Sequence, residues 1–110
     1  MAKIVVYMPL TSPYARIVDS QSGNQLQVST GVLTYIATWA NQAITPYTFD
    51  ASMGKGVSVF TIPALPDGEY DLLVHDNATP VTGDAVQVAK HFRVKNNNLV
   101  SNPNVAFIDM

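Results

Sequence analysis

The chain has 110 residues, 47% of them apolar, with no cysteine and a formal net charge of −2. That length suits one domain with a real core, and the apolar share excludes an unstructured chain. Only 13% of the residues are charged, about half the usual ~25%, which excludes a basic surface that tracks phosphates; the missing cysteine excludes a disulfide frame and a thiolate metal site.

The opening stretch, "MAKIVVYMPLTSP", carries one lysine and a short apolar run without a cleavage region, so we expect neither a signal peptide nor a membrane span. Along the whole chain, seven prolines and six glycines recur at the ~8–12-residue spacing of strand-and-turn folds. The segments between them are rich in Val, Ile, Thr, Tyr and Phe. In chain order the predicted strands are Lys3–Met8, Tyr14–Asp19, Gln25–Ser29, Val32–Ala37, Trp39–Ala43, Val57–Ile62, Glu69–His75 and Val86–Val94. Val32–Ala43 could also be read as a short helix, but it has no stop signal. The expected fold is all-β: a single antiparallel β-sandwich of the immunoglobulin-like, Greek-key kind over residues 1–95. Residues 96–110 are expected to form an extended C-terminal tail that contacts a neighbour.

"LPDGEYDLLVHD", Leu65 to Asp76, is the most legible stretch. Pro66-Asp67-Gly68 supplies a fixed φ, a capping carboxylate and a permissive glycine, which reads as a tight turn. After it Tyr70, Leu72 and Val74 point to one face and Glu69, Asp71, Leu73 and His75 to the other. The first set is read as core and the second as mostly wet. A tyrosine so close behind a turn can bury its ring and pin the turn backbone through its hydroxyl, as in tyrosine corners. "DSQSGNQ" and "NATPVTGD" read as loops.

Two regions do not fit a self-contained sandwich. The long connection "AITPYTFDASMGKG" carries Tyr47, Phe49 and Met53. After Val94, the polar "KNNN" leads to an apolar end with Val105, Phe107, Ile108 and Met110. These seven side chains are the candidate partner contacts. On this reading, deletion of residues 104–110 leaves a folded domain.

Catalytic and metal signatures are sparse. His75 and His91 lie in predicted strands without His-x-His or HExxH spacing, and are read as solvent-facing. Asp67, Glu69, Asp71 and Asp76 lack the dense oxygen-ligand loop of a Ca²⁺ site and are read as a solvated strand face. "GKGVS" lacks the upstream glycine of a phosphate loop. No cofactor, metal or catalytic residue is assigned. Trp39 with Tyr35 and Tyr47 could stack on a sugar ring, although a tryptophan buried in a sandwich core is the commoner arrangement.

The stretch "TFDASMGKGVSVFTIPALPDGEYDLLVHDNATPVTGDAV" resembles a domain of tailed-bacteriophage virion structural proteins. The pattern there is F-x-(I/L)-P-A-x-P-x-G-x-Y, then a strand and a P-x-x-x-D loop. The matching residues are Phe60, Ile62, Pro63, Ala64, Pro66, Gly68, Tyr70, Pro80 and Asp84, and "YARIVDSQSGNQ" resembles that domain's first strand and turn. The likeness spans roughly Tyr14 to Val94. It implies a non-enzymatic virion protein, made in the host bacterial cytoplasm, above all one that decorates or cements the capsid. A neck, connector or tail component is the first alternative and a carbohydrate-binding or adhesion module the second. The implied partners are the major capsid protein or other virion proteins, with homo-oligomers on the particle. Nucleic acid and membrane are not expected as partners.

Overall fold

The computed structural model describes residues 2–28, 30–35, 39–45, 57–96, 98–100 and 106–109. Nine strands appear among them: β1 (Ala2–Tyr7), β2 (Pro13–Asp19), β3 (Gln25–Gln27), β4 (Val32–Thr34), β5 (Val57–Thr61), β6 (Gly68–Asp76), β7 (Val88–Lys95), β8 (Asn98–Val100) and β9 (Ala106–Asp109). They form two antiparallel sheets, one ordered β5-β1-β9 and the other β4-β3-β2-β6-β7-β8. The two pack as a β-sandwich, as the sequence pattern predicts. Strands β2, β3 and β4 run in sequence, and β6 returns beside β2 after the chain has crossed to the other sheet at β5. This is a Greek-key path.

Alternation along the strands explains the core. Ile4 and Val6 of β1 and Phe60 of β5 come from the small sheet. Ala15, Ile17, Leu26, Leu72, Val74, Phe92 and Val94 come from the large one, and all join one buried cluster. On the opposite side of the small sheet the cross-strand pair Val5 and Val59 is buried as well.

The turn at Pro66 to Gly68 behaves as its residues dictate. The Tyr70 ring is 1% exposed and stacks on Phe92 with centroids 5.6 Å apart. Its hydroxyl donates to the Pro66 carbonyl at 2.6 Å, which closes the tyrosine corner. Asp67 Oδ1 accepts the Asn96 amide at 2.8 Å, tying this turn to the β7–β8 turn, where Asn96 is left-handed with φ 53°.

Two expectations change. Residues 96–110 are not simply a tail beyond the sandwich: β8 pairs with β7 and β9 pairs with β1, Ile4 opposite Phe107. The apolar alternation of this segment supplies strands to the two sheets. The expected strand Trp39–Ala43 is a 3₁₀ turn over Ala40–Gln42 instead. Its helical start at Trp39 (φ −58°, ψ −45°) turns the chain so that Ile44 can bridge Ala15 at the edge of β2. Backbone bonds in both directions, 2.9 and 2.8 Å, hold that bridge, and the Val28 amide donates to the Asn41 carbonyl at 2.7 Å.

Candidate functional site

Polar chemistry gathers on the outer face of the large sheet. On β2 the residues alternating with Ala15 and Ile17 are Tyr14 and Arg16, and the register sets Tyr14 opposite His75 of β6. Their rings stack with centroids 4.9 Å apart and planes 18° apart. Trp39, delivered by the 3₁₀ turn, meets His75 edge-on at 5.4 Å. The Arg16 guanidinium carbon lies 4.0 Å from the centre of the Trp39 ring, a cation–π contact.

This corrects the sequence reading of His75 as solvent-facing, since its side is 1% exposed. Period-two alternation assigns it to the outer face, but residues 39–45 and the loop between β6 and β7 cover that face at this end. The side chains at the centre of this cluster bond one another. Arg16 Nε donates to His75 Nε2 at 3.1 Å, and Arg16 Nη1 lies 3.3 Å from Gln42 Oε1. His75 Nδ1 therefore carries the proton and donates to the Ala85 carbonyl at 3.0 Å. Trp39 Nε1 donates to Tyr14 Oη at 3.1 Å, and Tyr14 in turn donates to Asp84 Oδ2 at 2.6 Å. Asp84 also receives Asn77 Nδ2 at 2.8 Å and the Val81 amide at 3.1 Å, so it knots the 77–87 loop.

The electrostatics follow from burial and these bonds. Burial, then the Asp84 carboxylate, pushes the Tyr14 phenol above its ordinary value. Burial lowers Arg16. Burial also lowers His75, with Arg16 adding to it, against the Ala85 carbonyl and Asp84, which favour the extra proton. The Tyr14, Asn77 and Val81 donors lower Asp84. Asn41 Oδ1, in the covering segment, is buried with no hydrogen-bond partner, a desolvation cost of about 1–3 kcal/mol. The arrangement is an internal lock whose members satisfy one another, and its central ring can change charge.

His91 lies apart from this lock. It stands opposite Asp71, four strand positions from His75, which is roughly 13 Å along the sheet. Its Nδ1 is 3.0 Å from Asp71 Oδ1 and its Nε2 3.5 Å from Glu69 Oε1, with Arg93 also 3.5 Å from Glu69. The Asp71 bond raises its pKa. Among the described residues no three His, Asp or Glu side chains gather as a metal-binding group. A separate apolar pocket of about 130 Å³ opens between the sheets, lined by Leu26, Val28, Gly31, Ile44, Thr61 and Pro63.

Of the sugar-platform candidates, Tyr35 is 76% exposed, Trp39 is engaged by Arg16, His75 and Tyr14, and Tyr47 lies outside the described residues. Of the partner-contact candidates, Tyr47, Phe49, Met53, Val105 and Met110 also lie outside them, and Phe107 and Ile108 are described only as β9 backbone paired with β1. Sequence reasoning missed Tyr14, Arg16 and Asp84 as one cluster. The legible signal was that Tyr14 and Arg16 share the phase opposite Ala15 and Ile17. No protein-family model, curated protein or solved structure matches the chain.

Proposed function

We propose that the chain is a non-enzymatic structural component of a tailed-bacteriophage virion, placed on the capsid as a decoration or cement protein. The carrying observation is the role of the F-x-I-P-A-x-P-x-G-x-Y stretch: Phe60, Ile62 and Tyr70 are buried core, and the Tyr70 hydroxyl holds the Pro66 carbonyl. Three of the residues that carry the likeness are thus framework, which supports a structural reading. The surface supports the same reading. From Ser20 to Phe49 the sequence has no charged residue, and the β3–β4 hairpin in that stretch exposes Val28 and Val32. A neighbour can cover such a surface without desolvating charge.

The test is immuno-electron microscopy, with an antibody raised against the recombinant domain and applied to gradient-purified virions of the phage that encodes it. Label spread over the head is the expected outcome. Label confined to the neck or tail would move the protein to a connector position. Unlabelled particles, with none of its peptides found by mass spectrometry, would overturn the virion reading.

A further inference from the structure

We infer that His75 is an acid-sensitive latch that holds the Trp39 segment and the 77–87 loop closed over the outer face of the large sheet. The geometry admits one protonation state. Nδ1–H is spent on the Ala85 carbonyl, and Nε2 must offer a lone pair to Arg16 Nε at 3.1 Å. A second proton on Nε2 would set two N–H groups head to head and two positive charges in contact, inside a site from which water is excluded.

Arg16 is the piece that would have to move, and it holds more than His75. Its Nη1 bonds Gln42 and its guanidinium lies on the Trp39 ring, so its departure removes one hold on each of these covering residues. Trp39 is joined through Tyr14 to Asp84, and Asp84 is the knot of the 77–87 loop. Backbone bonds at Asn77 and Gln87 tie the two ends of the loop, and its holds between them at Asp84 and Ala85 both lead back to this cluster.

The groups around the imidazole give the direction. From β2 it faces Tyr14 and the cationic Arg16. The 77–87 loop presents the carboxylate of Asp84 and the Ala85 carbonyl. Trp39 and Gln42 of the covering segment carry no charge, nor does Gln87, whose amide bonds the Val74 carbonyl beside it. Asp84 and the carbonyl favour an added proton, while burial and Arg16 oppose it and prevail, so the folded pKa is depressed. The latch is therefore fully closed above the ordinary histidine value of about 6.5. It loosens as pH falls from there through the folded value.

Trp39 is the only tryptophan in the chain, so its fluorescence reports the latch directly. The experiment is a titration of the full chain from about pH 8 to about pH 5, the window in which histidine changes charge, followed by Trp39 emission and far-ultraviolet circular dichroism. The expected result is a reversible red shift of the emission with a midpoint below ~6.5, while the sheet signal persists. The shift should vanish in His75→Gln and survive in His91→Gln. Emission that stays flat through the window, an unchanged midpoint in His75→Gln, or loss of the sheet signal in the same transition would each overturn the latch. Should His75→Gln fail to fold, proton NMR of the His75 ring in the unaltered chain decides. A ring that titrates at or above the ordinary value contradicts the inference, and one that titrates below it together with Trp39 supports it.

Discussion

At Tyr70, two separable contributions meet in one side chain: a buried ring against Phe92 and a hydroxyl on the Pro66 carbonyl. Tyr70→Phe removes only the second and should cost about 1 kcal/mol. Tyr70→Ala removes both and should cost about 3–5 kcal/mol; urea denaturation at equilibrium measures the two. Equal losses would mean that the ring adds nothing beyond the hydroxyl. Asn96 makes a second residue-scale test because its φ of 53° lies in the left-handed region. Asn96→Gly should be nearly neutral, whereas a β-branched Asn96→Val should cost about 1–2 kcal/mol in backbone strain alone. Tyr70 was legible in the sequence because a turn signal and a strand phase both point to it. His75 was not. Alternation says which face of a sheet a residue occupies, but what lies over that face depends on a segment distant in the chain, here Trp39 to Thr45.

Among the elements, the β-strands with strong alternation or continuous apolar runs were legible to within a residue or two, as at β1, β2, β5 and β6. The Trp39–Ala43 stretch misled because its aromatic and small residues resemble a strand, while tertiary contacts to Arg16, Tyr14 and the Val28 amide draw it into a turn. The end of the chain misled for another reason. A polar Asn run looks like a spacer, yet Asn tolerates the left-handed turn that a tight β7–β8 connection uses. The pairing of β9 with β1 reverses the expected result of shortening the chain. Deletion of residues 104–110 strips β1 of one of its two partners and leaves β1 and β5 as a two-stranded ribbon, marginal by itself. The truncated protein should lose well over the ~1 kcal/mol of an ordinary substitution, seen as a lower urea midpoint. An unchanged midpoint would show that β9 adds nothing to the fold.

For the molecule as a whole, the two histidines pull stability in opposite directions with pH. The raised pKa of His91 makes its ion pairs stabilising below about 6.5, and that contribution disappears as pH rises through the folded value. Both partners are about a third or more exposed, so solvent screening holds the effect under about 1 kcal/mol. The melting temperature of His91→Gln should therefore fall below that of the unaltered chain at pH ~5 and approach it at pH ~8. His75, with its depressed value, contributes on the alkaline side and loses that contribution as pH falls. The fold class itself was legible from the Pro and Gly spacing. The assignment of strands to one sheet or the other was not, because each crossing between sheets is decided by long-range pairing.

That pairing sets a timetable for synthesis. Lys3 lies opposite Ile108 and Ile4 opposite Phe107, so β1 emerges from the ribosome long before its β9 partner exists. At a translation rate of roughly 5–20 residues per second, the wait is roughly 5–20 s, far longer than the time needed to form a hairpin. Throughout it the run Ile4-Val5-Val6 is an apolar strand with one side unmatched, the kind of segment that pairs with other nascent chains. Yield in the cell should accordingly depend on what shelters β1 during those seconds, and a ribosome that stalls before residue 106 leaves a product that cannot complete its small sheet.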